Sequence, residues 1–260
     1  SETYLKPEDK ERITQIVEEI KVEYHDIINN TDFLSDETRA KAIEKLDALE
    51  ANVLYPDSWD LYSCDDLNLV SSQEGGTLWD ALETIEAYNT EQHIKDYAGP
   101  INKEKWQAPP FVVNCAYSST TNKMYILGAF TQGDIYNSEM SDEEVYAKIG
   151  MVIGHEISHA FDSTGAQFDK DGNMANWWTG QDLEAFKKKN EKMAEYFTNM
   201  HPWKGQNFKG SIMTGKACAD MAGMKCMLQI ASKKKTLIMT HSSVVMQIYG
   251  ALKILYNSNM

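Results

Sequence analysis

The sequence predicts a mixed, predominantly helical α+β fold, and three observations carry that prediction. Apolar residues recur at three- and four-residue spacing through residues 8–52 and again from Leu78 to His93. Two β-prone runs, Phe111-Val112-Val113 and Met124-Tyr125-Ile126-Leu127, flank the polar turn Ser118-Ser119-Thr120-Thr121-Asn122, which is a hairpin signature. Ser141 with Glu144 then makes a capping box in front of a strongly apolar helix.

In chain order, the first helix spans Lys10 to Asn29 and carries Ile13, Ile16, Val17, Ile20 and Val22 at near-helical spacing. Ser35-Asp36-Glu37-Thr38 starts a second, with Ala42, Ile43, Leu46 and Leu49 on its apolar side, and Pro56 ends it. Residues 57–76 read as loop and short turns closed by Gly75-Gly76; a third amphipathic helix follows, and Pro100 and Pro109-Pro110 bracket the change to β-prone sequence. The helix capped by Ser141 carries Val145, Ile149, Val152, Ile153 and Ile157 and is expected to reach about Asp162. After the loop Asp169-Lys170-Asp171-Gly172-Asn173, Thr179 caps a helix with Asp182 at its third position and a solvated Lys187-Lys188-Lys189 face. A last helix covers Lys216 to Ser232. The organisation read from this is a helical segment over 1–105, a second domain over 106–232 and an atypical tail over 233–260.

Composition narrows the function classes. With 260 residues the chain has room for one large domain or two small ones, and 42% hydrophobic with 25% charged residues argues against disorder. Thirty-nine acidic against 25 basic residues, a formal charge of −14, make nucleic acid and anionic membranes poor partners. No apolar run approaches the ~18 residues that a membrane span needs. Ser1-Glu2-Thr3-Tyr4 does not open a signal peptide, and the compartment stays open. Cys64, Cys115, Cys218 and Cys226 form no CxxC pair and read as buried thiols.

His155-Glu156-Ile157-Ser158-His159 is an HExxH motif. On a helix, positions i and i+4 face the same way, so both imidazoles can bind one Zn²⁺ at roughly 2.0–2.1 Å. The glutamate beside the first histidine can serve as general base. Gly154 and Ala160, small residues flanking the motif, let other backbone approach, and Asp162 can orient His159 through its second ring nitrogen. A chance match to so short a pattern is the alternative, and the capped helix around it argues against chance.

The wider sequence is similar to the neprilysin family of zinc endopeptidases. The resemblance rests on Ile149–Asp162, on Phe168-Asp-Lys-Asp-Gly-Asn173 with Trp177-Trp178, on Val113-Asn114-Cys115-Ala116-Tyr117 with Asn122, and on Glu44-Lys45-Leu46-Asp47 and Tyr55-Pro56-Asp57. It covers about residues 4–234, and family members are several hundred residues long, so the chain resembles a piece: the end of a helical lid domain and most of the catalytic domain. The resemblance implies a thermolysin-like zinc peptidase unit with a packed helical segment, one Zn²⁺ per chain, and peptide substrates. It implies that Asn114 and the Cys115–Ala116 backbone align an extended peptide by β-augmentation. Val152 and Ile135 stand where they line the pocket for an apolar residue after the cut bond, with a plain core role the alternative for both. Asp220 matches the family's catalytic-site aspartate that hydrogen-bonds the first histidine.

Two departures stand out. The family takes its third zinc ligand from the glutamate of a Gly-Glu-Asn-x-Ala-Asp motif; here Gly215, Ala219, Asp220 and Gly223 match but the ligand position is Lys216. A lysine ammonium offers only donors, and its charge opposes that of Zn²⁺. The side chain is expected to point at the metal position and to weaken zinc affinity and activity. The tail from Lys233 also departs. Read from the third base of each codon, permitted codons for Lys235 to Gly250 give NFDYDAFFRSYANIW, which closely resembles the family's continuation. This implies a frameshift near Lys234, so His241 is not equivalent to the family's catalytic histidine. The reading is therefore a zinc-dependent endopeptidase acting on oligopeptides, the alternative being an inactive remnant or a peptide-binding pseudoenzyme.

Overall fold

The computed structural model describes residues 5–60, 63–200, 205 and 208–234. The helices are α1 (Pro7–Asn29), α2 (Asp36–Asp47), α3 (Leu78–Ala98), α4 (Asp142–Val145), α5 (Met151–Ser158), α6 (Gly180–Asn199) and α7 (Thr214–Lys233). The strands are β1 (Glu50–Leu54), β2 (Cys115–Ser118) and β3 (Lys123–Leu127), in one sheet of order β1-β3-β2. The fold is thus mostly helical with a small sheet, as the sequence predicts. No helix among the described residues is long and apolar enough to cross a membrane.

The chain divides into two compact units, Ser1–Tyr55 with Ala108–Met260, and Pro56–Gln107. This division differs from the expected helical segment over 1–105. The reason is packing: Ile13, Ile20 and Leu46 from α1 and α2 join the same buried cluster as Ile126, Ile149, Ile153 and Ile157. α1 starts with Pro7 and two acidic residues, Glu8 and Asp9, in its first turn, which suits the positive helix end. Its buried stripe is Ile13, Ile16, Val17, Ile20, Tyr24 and Ile28; Val22 falls off that stripe and is exposed. In the second unit, Thr77 and Asp80 make a capping box for α3, yet no residue of α3 is buried.

The sheet corrects two local expectations. The second helix stops at Asp47, and residues 50–54 instead form β1, parallel to β3 with Ala51 opposite Met124 and Val53 opposite Ile126. Its partner lies some seventy residues downstream, so no local pattern announces it. The hairpin exists, but its first strand is Cys115–Ser118, antiparallel to β3, and not Phe111–Val113, which are exposed and lie outside any strand. Asn122 turns the hairpin at φ 51°, a left-handed conformation that asparagine tolerates better than most residues.

The helix capped by Ser141 runs as α4, a π-turn over Tyr146–Gly150 and then α5, ending at Ser158 with His159 as its cap and not at Asp162. Thr179 caps α6 by accepting the Asp182 amide. Cys115 and Cys226 are buried thiols, Cys218 is half-buried, and Cys64 is exposed, against expectation. The tail beyond Lys234, with its frameshift reading, lies outside the described residues.

Candidate active site

Two helices build the site. α5 and α7 cross at Gly154 and Gly223: a Cβ on Gly154 would stand 3.0 Å from the Gly223 Cα, and one on Gly223 would stand 2.8 Å from the His155 nitrogen and 2.9 Å from the Met151 oxygen. Backbone meets backbone there, which a side chain on either residue would prevent. The approach brings Lys216 and Asp220, one turn apart on α7, against His155 and His159, one turn apart on α5 and its cap.

The two imidazoles converge, with their Nε2 atoms 3.1 Å apart. Each presents Nδ1 to a carboxylate: His155 to Asp220 at 2.8 Å and His159 to Asp162 at 2.7 Å. A carboxylate accepts, so both rings donate from Nδ1 and keep the Nε2 lone pair for the common point. Asp162 is itself fixed, accepting the backbone N–H groups of Thr164 and Gly165 at 2.8 Å each. Burial raises its pKa, but the His159 ring and those two amides more than offset this and hold it below the usual carboxylate range. The two aspartates differ in setting, the Asp162 side chain being 11% exposed and that of Asp220 64%.

Glu156 is buried, with a carboxylate oxygen 4.0 Å from the His155 Nε2. Burial pushes its pKa up, while His159, His155, Lys216 and a backbone N–H bond from Tyr117 pull the other way. The two imidazoles of His155 and His159 and the carboxylate of Glu156 offer ligand atoms within 4.8 Å of one another. Lys216 occupies the remaining corner: its Nζ lies 2.9 Å from the His159 Nε2 and 3.3 Å from the His155 Nε2. The ammonium donates to both lone pairs that a metal would use.

The histidine half of the site fits a zinc ion, since a 3.1 Å separation of Nε2 atoms suits two bonds of roughly 2.0–2.1 Å to one centre. The third position does not fit, because it holds a cationic donor at the metal's place.

The other sequence-predicted residues fall around this centre. β2 pairs with β3 alone among the described residues, and its Tyr117 N–H reaches Glu156 on α5. Cys115 and Ala116 lie on β2, while exposed Asn114 sits one residue before it, its carbonyl accepting from Leu127 N–H at 3.3 Å. Val152 and Ile135 are half-buried and pack against the hydrophobic core.

Sequence reasoning missed two contributors. The Tyr24 hydroxyl donates to the Gly154 carbonyl at 2.6 Å, just before His155. Lys45, 1% exposed, reaches the loop after His159. Its signal was available: it falls at helical spacing with the apolar residues Ala42, Leu46 and Leu49, where a lysine is out of place.

Comparisons with known proteins show what the chain is similar to. Two models described as peptidase family M13 match residues 114–254 and residues 1–56. A neutral endopeptidase of Lactococcus lactis subsp. cremoris is 36% identical over 217 residues, 83% of this chain and 33% of that protein. Human endothelin-converting enzyme 1 is 30% identical over 82% of this chain and 28% of its own length. The crystal structure of PepO from Lactobacillus rhamnosis superposes with a TM-score of 0.80 at 29% identity, covering 88% of this chain and 36% of that one. The zinc metalloprotease Zmp1 of Mycobacterium tuberculosis, solved with an inhibitor, gives 0.75 at 26% identity, over 86% and 35% of the two chains. The chain spans about a third of the length of the curated relatives it matches.

Proposed function

The chain belongs to peptidase family M13, and from that premise we propose that its site is the peptide-hydrolysis site of a zinc endopeptidase, carried here in a form whose third-donor position is lysine. The observation that carries this is the convergence of the His155 and His159 Nε2 atoms, each ring anchored through Nδ1 on an aspartate. One carboxylate holds each ring in the tautomer that leaves Nε2 free, which is how metal-binding histidines are oriented.

The chain's own residues have separable roles. Glu156, a buried carboxylate beside the histidines, is the proton acceptor of the cleft. Asp220 and Asp162 fix the rings. Asn114 and the backbone of Cys115 and Ala116, at the start of the edge strand, align an extended peptide, whose main chain adds to the sheet. Val152 and Ile135 border the pocket for an apolar side chain. Peptides are the substrates and partners on this reading, with one zinc per chain when the third donor is an anion.

A second reading is favoured by Lys216 itself. With its Nζ within hydrogen-bond reach of both Nε2 atoms, the chain as written binds peptide without cleaving it. Metal content after dialysis and cleavage of oligopeptides, measured on this chain and on Lys216→Glu, separate the two. The zinc-endopeptidase reading expects little zinc in the first and close to one equivalent in the second, with a gain in cleavage. A Lys216→Glu form that holds no zinc overturns it. Tightly held stoichiometric zinc in the Lys216 form returns the chain to a plain active-enzyme reading.

A further inference from the structure

The loop after His159 is built from tight turns and one short 3-10 turn, Gly165–Gln167, and it carries Asp162, the group that orients His159. It is also tied to a distant segment of the chain. The Lys45 Nζ donates to three of its carbonyls: Ala160 at 2.8 Å, Gly165 at 2.7 Å and Phe168 at 2.6 Å. An ammonium has three donors and no acceptor, so each donor is matched to one carbonyl. These acceptors bracket Asp162 on both sides. They come from a segment more than a hundred residues away from α2 in the chain. The amine also stands 5.8 Å from the Trp177 ring centroid, and the Trp177 indole N–H donates to the same Phe168 carbonyl at 3.0 Å.

Such a lysine is costly to bury, since desolvation disfavours the charged form. The Asp169 and Asp162 carboxylates partly compensate, and the net effect brings its pKa down to about 8. A buried charge that makes three short bonds to one loop is out of proportion for mere support of α2, which already buries Ala42 and Leu46. We infer that Lys45 is a positioning residue for the proposed metal site: it holds the Ala160–Phe168 loop so that Asp162 keeps His159 in its Nδ1–H tautomer. The inference rests on the reading of His159 as a ligand, and it places part of the machinery on a helix outside the motif-bearing segment. His155 provides the contrast, because its partner Asp220 rides on α7 and not on that loop.

The test uses Lys45→Met, which keeps the length of the side chain and removes the donors, and Lys45→Gln, which offers two donors. Long-range ¹H–¹⁵N NMR of the whole chain reads the tautomer of each histidine without any metal. The expected result is a folded Lys45→Met protein in which His159 leaves the pure Nδ1–H form while His155 keeps it, with Lys45→Gln intermediate. A His159 signal unchanged in both variants overturns the inference. So does a joint shift of His155 and His159, the mark of general loosening, or failure of both variants to fold. A second arm measures zinc affinity of Lys216→Glu with and without Lys45→Met, where the loss expected is roughly 10–100-fold, as for other groups that orient a metal-bound histidine. If Lys216→Glu takes up no zinc, the zinc-endopeptidase reading fails, and the tautomer arm still decides the role of Lys45.

Discussion

At the scale of single residues, the position of Lys216 makes the charge at the centre of the site a property of the chain. Its ammonium sits where two imidazole lone pairs meet, so it stabilises the same ring orientations that a metal would and competes for the same electrons. Zinc affinity should therefore rise from the natural chain to Lys216→Ala, which removes the competing donor, and again to Lys216→Glu, which adds an anionic ligand; calorimetric titration measures the order. Within the Lys216→Glu form, Asp162→Asn should cost more affinity than Asp220→Asn. Both fall in the roughly 10–100-fold range for such partners, but Asp162 is buried and held by two amides while Asp220 is largely open to water. Equal losses would mean that exposure does not grade the two contacts. The histidines and Glu156 were legible in the sequence because helical geometry fixes their relation, and Asp162 because it lies only three residues beyond His159. Asp220 and Lys216 were legible only through a resemblance, since nothing local says which helix faces α5. The contacts that Tyr24 and Lys45 make were not read, because their partners lie on distant segments.

At the scale of elements, the site depends on how closely two helices approach. The contact of Gly154 with Gly223 sets the distance from Lys216 and Asp220 to the histidines. Gly223→Ala puts a methyl group 2.8–2.9 Å from backbone atoms that have no rotamer to escape into. It should cost about 1–3 kcal/mol in a urea titration, as overpacking does. It should also lengthen the His155–Asp220 contact, visible as loss of the Nδ1–H tautomer at His155 before His159. The caps at Ser35, Ser141 and Thr179 were read correctly, since a capping residue and its partner are three positions apart. The strands were read less well. β-propensity favoured Phe111–Val113, but those side chains are exposed, and the strand is the next segment, whose Cys115 and Ser118 are buried. β1 was read as helix because a five-residue strand with a distant parallel partner leaves no period to detect.

At the scale of the molecule, the first unit is assembled from two distant stretches of chain, and polar ties between them bear on its response to acid. Asp182 at the start of α6 is buried and accepts from the Ser35 backbone N–H at 3.0 Å and from the Ser35 hydroxyl at 2.5 Å, while the Thr38 hydroxyl accepts from Thr179 N–H at 3.1 Å. Burial raises the Asp182 pKa, but the hydrogen bonds from Ser35, Thr38 and Thr179 outweigh it and bring the value down to about 2. The sign follows from linkage. The folded-state pKa lies below the unfolded value of about 3.9, so the stabilisation is present in full above that value and is lost as the pH falls towards 2. Asp182→Asn keeps the shape but loses the anionic acceptor that several donors share. It should be less stable than the natural chain at pH 7, and the difference should shrink between about pH 4 and pH 2, where the natural carboxyl takes up its own proton. Urea midpoints for both proteins at pH 7, 4, 3 and 2 measure this. A gap that stays constant down to pH 2 would assign the effect to packing at the Asn side chain, and the loop–α6 tie would then owe nothing to charge.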